Sequence, residues 1–293
     1  MMKCIFDKSI FTISAIICLA LNCGNSNAHG ITERYKTYDI GSCTDRGRVN
    51  PENEDTCGIF TIGGDIVCVV CDGVGGSAAG STASRTAFAA VREYLEREGL
   101  GSGLTEINQN LAAAFAFADR KVRETAVTDS LLKGMATTCL VAVVQDDTLY
   151  YSHAGDCQLY VGDLSRLEQI TEDDSYINML LADGEITKKE AKRHPLRRAI
   201  INAVGSKSNE LYVNSCTEGI PIRDDRYYLM CSDGLYEELS AKRTKRIIQR
   251  NMDQDSNSIS KELVRAANVA GGHDNISVIF IRCVNHVMSS GSR

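Results

Sequence analysis

"VVCDGVGGSAAG" spans residues 69–80, and its reading decides the fold. An apolar run stops at Asp72. Gly73, Gly75 and Gly76 follow, and small residues lead into a long helical pattern. Such a stretch is either a glycine loop that cradles a phosphate or an aspartate held at a strand end to bind a metal. A phosphate-binding P-loop needs a Lys and a Ser or Thr directly after its last glycine. Here Gly76 is followed by Ser77, Ala78 and Ala79. A dinucleotide loop needs Gly-x-Gly-x-x-Gly, and Gly73, Gly75 and Gly80 miss the third position.

Outward from this stretch, four more runs share its form. "TTCLVAVVQ" (137–145), "TLYYSHAGD" (148–156), "RYYLMCSD" (226–233) and "NISVIFIRC" (275–283) are rich in Val, Ile, Leu and Tyr and are bounded by Asp, Gly or Asn. Together with "DIVCVVCD" (65–72) they read as strands, and the short gap at Asp146 and Asp147 reads as a hairpin. Helices are expected over 77–98, 104–126, a pair within 175–194, and 258–270. Ile107, Leu111, Ala114, Phe115 and Ala118 recur at i, i+3, i+4 spacing and define one apolar face. Residues 127–137 read as a loop. Hairpin strands, a helix pair and further hairpin strands do not alternate as a parallel sheet would require. The expectation is antiparallel sheets with helices packed outside.

The same strand ends carry acids. Asp72 precedes Gly73, Asp156 follows Gly155, Asp233 precedes Gly234, and Asp274 comes just after Gly271 and Gly272. Glu54 and Asp55 precede a further apolar run. One Asp-Gly pair is an ordinary turn. Several carboxylates at the rims of strands repel one another, and their burial is costly unless cations compensate. Hard oxygen donors of this kind suit Mg²⁺ or Mn²⁺, whereas zinc favours His and Cys.

The chain of 293 residues is 43% hydrophobic and 24% charged, enough for a substantial core in one domain over 31–285, with a short tail at 286–293. A net charge of −6 argues against nucleic acid as a partner. Residues 1–30 read as a signal-like leader: Lys3 and Lys8, then "SIFTISAIICLAL" (9–21), then small polar residues. The apolar stretch is shorter than the about 20 residues that span a bilayer. Twelve cysteines, most of them in apolar runs and irregularly spaced, point instead to a reducing compartment. A cytoplasmic location is expected, with export or membrane anchoring through residues 1–30 as the alternative.

The motifs taken together resemble the metal-dependent Ser/Thr protein phosphatases of type 2C, in their compact bacterial form. The resemblance rests on "GRVNPENED" (47–55), "DGVGG" (72–76), "GMATT" (134–138) and "AGDCQLY" (154–160). It continues through the segment 170–205, "CSDGLYEEL" (231–239) and "GGHDNISVI" (271–279). Seven motifs in order cover nearly all of residues 40–283. The resemblance implies an α+β fold, a central antiparallel β-sandwich flanked by helices on both outer faces in four αββα layers. It implies two Mn²⁺ or Mg²⁺ ions at one rim, with a third, weaker ion as a further possibility. Asp72 would bridge both metals, the Gly73 carbonyl would bind one, and Asp233 and Asp274 would complete the first ion's protein ligands. Glu54 and Asp55 would hold metal-bound waters, and Asp156 with Asp233 resembles the pair that takes the third ion. A water bridging the two metals would then hydrolyse phosphoserine or phosphothreonine in proteins. Phosphoproteins and a cognate Ser/Thr kinase are the expected partners of a monomer, with a membrane involved only if the leader is retained.

The sequence departs from the family pattern at several positions. Asn50 stands where an Arg contacts the substrate phosphate, and Asn lacks the bidentate fork of Arg. Arg48 is two residues away and, on a strand, would share the face of Asn50. The segment resembling the family's flap carries Lys192, Arg193, His194, Arg197 and Arg198, read as a solvated helix end or as a second source of positive charge. Ala136 replaces a Gly, Cys157 and Gln158 replace Ser-Arg, and Asp174 replaces a His. Asn50 motivates the alternative of a catalytically weak relative that binds phosphoproteins or a kinase.

Overall fold

The structure is a computed structural model that describes residues 14–19, 34–206 and 210–287. The remainder of the leader-like segment and the last six residues of the tail lie outside the described residues.

The first strands are β1 (Ser14–Leu19), β2 (Arg34–Asp45), β3 (Thr56–Ile62), β4 (Asp65–Cys71) and β5 (Gly73–Val74). Two long helices follow, α1 (Ser77–Glu98) and α2 (Gly103–Ala126). Next come β6 (Ala136–Thr137), β7 (Cys139–Gln145), β8 (Thr148–Ala154), β9 (Gln158–Gly162) and β10 (Leu167–Gln169). The flap segment holds two short helices, α3 (Tyr176–Ala182) and α4 (Lys188–Ala191). The chain closes with β11 (Asn214–Ser215), β12 (Ile220–Pro221), β13 (Tyr227–Cys231), α5 (Asp233–Tyr236), α6 (Ala241–Arg250), α7 (Ser256–Ala270) and β14 (Ile276–Val287).

All strand pairs are antiparallel. One sheet runs β1-β2-β14-β13-β9-β10; the other runs β11-β8-β7-β4-β3, with β12 also on β8. Alternation along β4 shows how the layers arise. Ile66, Cys68 and Val70 point between the sheets, where they meet Leu140, Tyr228, Met230 and Ile279. Val67, Val69 and Cys71 point the other way, onto Ala83, Ala87, Leu111 and Phe115 of α1 and α2. A strand buried on both faces must be apolar at every position, and each Val or Ile so buried stabilises the fold by about 1.5–3 kcal/mol. The second sheet repeats the pattern. Leu229, Cys231, Val278 and Phe280 pack outward on Ile259, Leu263 and Ala267 of α7. The result is the expected four-layer αββα sandwich.

All five expected strands and the main helices are present, and α1 begins at Ser77 as its small-residue pattern indicates. Gly75 (φ +129°) and Gly76 (φ +84°) turn the chain into it, in backbone conformations that side chains with a Cβ resist. Asp146 and Asp147 form the two-residue hairpin with φ of 48° and 58°. Two differences from the sequence reading stand out. The loop expected over 127–137 ends in a strand, because Ala136 and Thr137 pair with Val74 and Gly73. The helix α6 has only Thr244 and Ile248 buried, so its few apolar positions give little periodic signal. Within the leader-like segment, Ser14–Leu19 lies antiparallel to β2 at the sheet edge. At the other end β14 runs through Val287.

Candidate metal centre

The acids of the strand ends meet at one rim of the sandwich. Asp72 leaves β4 just as the backbone crosses to β5, and its main chain is pinned from both sides. Its N–H donates to Thr138 Oγ1 (3.0 Å), and its carbonyl accepts from Thr138 N and Thr137 Oγ1, each at 2.8 Å. Thr138 Oγ1 also lies 3.1 Å from Cys157 Sγ, which ties this point to the turn bearing Asp156. Burial, then the fields of Asp55, Asp233, Asp156 and Asp274, push the Asp72 carboxyl well above the usual carboxylate range.

Asp55, Asp156 and Asp233 are each pushed up to about 7, with burial the largest cause. Asp55 accepts a bond from Ser232 Oγ (2.7 Å), itself held by the Ser277 N–H (2.9 Å). Asp156 Oδ2 accepts from Tyr236 OH at 3.3 Å. Asp233 begins α5, and Asp72 stands within hydrogen-bonding reach of it. One carboxylate oxygen on each of Asp55, Asp156 and Asp233 is buried with no hydrogen-bond partner. Buried anionic oxygens without partners are costly, and a hard divalent cation is the natural compensation.

Glu54 and Asp274 flank this group. Asn275 Oδ1 accepts from the Glu54 N–H (2.8 Å), while Asn275 Nδ2 donates to the carbonyls of Arg46 and Glu52. Asn275 therefore stitches the opening loop to the start of β14. The Glu54 carboxyl is raised by burial and by the nearby charges of Asp274 and Glu52. It rests against Gly80 of α1, where a Cβ would collide with Glu54 Oε2. Gly73 is equally confined, since a Cβ there would strike the Gly80 and Glu54 carbonyls.

The structure thus brings Asp72, Gly73, Glu54, Asp55, Asp156, Asp233 and Asp274 to one rim. Among the described residues, no three His, Cys, Asp or Glu side chains are drawn together tightly enough to form a ready-made metal cage. The partnerless buried oxygens and the mutual fields of the acids nevertheless fit Mg²⁺ or Mn²⁺, because the donors are all hard oxygens and a cation would draw them inward.

The opening-loop positions fall differently. Residues 47–49 form a turn rather than a strand, so alternation does not place Arg48 beside Asn50. Arg48 is exposed, and its N–H donates to the Gly272 carbonyl (2.7 Å). Asn50 Nδ2 donates to Asp274 Oδ1 at 2.7 Å. Arg46, not singled out in the sequence, clasps the loop through the Asn50 and Pro51 carbonyls.

Of the flap cations, Arg198 is exposed yet is the one engaged with the rim. It pairs with Glu237, its Nη1 lies 3.8 Å from Asp274 Oδ2, and its charge opposes the upward shift of Asp233. Asp174, which replaces a His of the family pattern, is a buried hub. It accepts from the Gly155 N–H (2.9 Å), Asn202 Nδ2 (2.8 Å), Asn214 Nδ2 (2.8 Å) and Tyr212 OH (3.2 Å). It thereby fastens the flap base to the turn that bears Asp156.

Comparison with known proteins agrees with this geometry. A Listeria welshimeri protein named serine/threonine phosphatase stp is 29% identical over 242 residues, covering 81% of this chain and 93% of that protein. The Mycobacterium tuberculosis serine/threonine protein phosphatase PstP is 30% identical over 245 residues, 83% of this chain and 44% of PstP. The S. agalactiae serine/threonine phosphatase structure superposes with a TM-score of 0.78 at 26% identity, over 84% of this chain and 99% of that one. The PstP catalytic domain in complex with two manganese ions superposes at 0.70 and 26% identity, over 85% and 99%. The protein phosphatase 2C sequence profile matches residues 44–267, so the chain belongs to the protein phosphatase 2C family.

Proposed function

We infer that the protein is a Mn²⁺- or Mg²⁺-dependent protein serine/threonine phosphatase that hydrolyses phosphoserine and phosphothreonine side chains. The single observation that carries this reading is the set of buried, partnerless oxygens on Asp55, Asp156 and Asp233 within one field of five aspartates. Asp72, the Gly73 carbonyl, Asp233 and Asp274 would hold the ions, Asp156 with Asp233 would hold a third, and Glu54 and Asp55 would orient water. When bound, the ions neutralise phosphoryl charge and lower the pKa of coordinated water.

The chain's own residues position and select. Thr137 and Thr138 fix the Asp72 backbone, Ser232 holds the Asp55 carboxylate, and Asn275 holds Glu54. Arg198 supplies the positive charge that Asn50 cannot, and its planar fork suits two phosphoryl oxygens. Phosphoproteins are the substrates. A cognate Ser/Thr kinase, a monomeric state and a cytoplasmic site of action belong to the same proposal. No helix among the described residues is long and apolar enough to cross a membrane.

The test compares wild type with Asp72→Asn on an aryl phosphate and a phosphothreonine peptide, with and without Mn²⁺. Wild type should release phosphate only with the metal. Activity that survives EDTA overturns the reading. The bond from Asn50 to Asp274 favours a second reading, a weak enzyme that chiefly binds phosphoproteins. A large gain in turnover on Asn50→Arg would show a weakened active site, whereas no activity in either form would support the binding role.

A further inference from the structure

Beside the metal rim lies an open groove of about 860 Å³ between the flap and α5. Lys192, Arg197 and Arg198 line its flap side; Glu237, Glu238 and His273 line the other. It is continuous with the centre through Arg198, which touches both Glu237 and Asp274.

The charges in this groove are unevenly matched. Glu237 is paired with Arg198. Glu238 accepts from the His273 N–H (3.1 Å) and lies 2.6 Å from His273 Nδ1, so both acids are engaged. Glu190, within α4, is occupied by the Thr187 N–H and hydroxyl. Among the described residues Lys192 and Arg197 form no ion pair, and both are exposed. A groove that opens from a phosphate-hydrolysing centre and carries two unopposed cations is complementary to an anionic peptide.

We propose that Lys192 and Arg197 select substrate segments bearing a second anionic side chain, a carboxylate or a phosphate, near the phosphoresidue to be hydrolysed. This rests on the phosphatase reading and adds the class of substrate to it. A peptide extends by about 3.3–3.6 Å per residue, so an anion two to four residues from the scissile phosphate lies up to about 7–14 Å from it. The second anion stays intact during the reaction and serves only to hold the segment.

The experiment uses the full chain with Mn²⁺ and phosphothreonine peptides that differ only at these flanking positions: Glu, Lys, or a second phosphothreonine. Phosphate release gives kcat/KM, and phosphonate peptides that cannot be hydrolysed give Kd by fluorescence anisotropy. The Glu and phosphothreonine flanks should outperform Lys by about tenfold, less at high salt. Which of the two anions gains more identifies the natural one. The Glu-to-Lys ratio should fall towards one in Lys192→Ala/Arg197→Ala and invert in Lys192→Glu/Arg197→Glu; both positions are exposed, so these chains should fold. Equal use of Glu and Lys flanks by wild type, or a ratio unmoved by the substitutions, overturns the proposal. If no peptide is hydrolysed but the phosphonates still discriminate, the phosphatase reading fails and the groove assignment stands.

Discussion

The metal rim and the flap lie side by side but are built by opposite means. The rim hangs its acids from strand ends between two packed sheets, and each acid's backbone or carboxylate is held by a neighbour such as Thr138, Ser232 or Asn275. The flap consists of two short helices, one closed by the Thr187–Glu190 capping box, and most of its cations are exposed. It is fastened to the rim chiefly at its base, by Asp174 and by the Thr137–Val204 bridge. The contrast separates two tasks. Rigid, buried carboxylates create a costly concentration of negative charge that protons or metal cations relieve. Exposed cations on a lightly packed segment tune which anion approaches. Changes at the rim should therefore act on metal and turnover, and changes in the flap on substrate.

The strongest break is expected at the centre of the rim. Asp72→Asn should lower turnover by about a thousandfold, equivalent to about 4 kcal/mol of transition-state stabilisation. Loss of less than tenfold in a steady-state assay would deny Asp72 a bridging role. Gly80→Ala comes next, with a loss of about 10–100-fold through displacement of the Glu54 carboxylate. Ala is a better helix former than Gly, so thermal unfolding should show a fold close to wild type. A wild-type rate would mean that Glu54 shifts without consequence.

Proton competition gives a third test. Asp55, Asp156 and Asp233, raised to about 7, hold protons below that pH in the metal-free fold. Their raised values mean that stability is lost as pH rises through about 7, and bound cations reverse that penalty. Mn²⁺ affinity should thus be about tenfold or more weaker at pH 5.5 than at pH 8, with a smaller metal-induced rise in Tm. Isothermal titration at the two pH values checks this, and equal affinities would remove these carboxylates from the ligand set. The smallest effect belongs to the flap. Arg198→Ala should raise KM for a phosphopeptide about fivefold, in line with a partly exposed charge pair. Mn²⁺ binding should be unchanged or tighter, since a cation beside Asp233 and Asp274 is removed. Weakened metal binding would instead make Arg198 part of the rim and dissolve the comparison.

Much of this division is visible in the sequence, but unevenly. The strands are legible because residues 66–71 and 139–144 are uninterrupted apolar runs, a pattern that burial on both faces explains. Asp72, Asp156, Asp233 and Asp274 are legible because each sits where an apolar run stops or begins near glycine. Arg48 misled because alternation applies to strands, and the residues around it form a turn. Asn275 and Ser232 carried no signal of their own: their partners are 221 and 177 residues away, and strand order brings them together. Arg46 acts through carbonyls only four and five residues on, in a turn that alternation does not anticipate. Arg198 looked like one of several flap cations, and its neighbours do not distinguish it.

By itself, then, the sequence determined the antiparallel strands with helices packed outside, the acids of the rim and the hard-cation chemistry they require, because periodicity and residue type are local properties; the four-layer order came with the family resemblance. The tertiary structure alone decided which cation of the flap meets Asp274, which serines and asparagines hold the carboxylates, and why Gly80 must lack a side chain. Those facts depend on distances between residues far apart in the chain. They exist only once hydrophobic burial has stacked the two sheets and brought their ends to one rim.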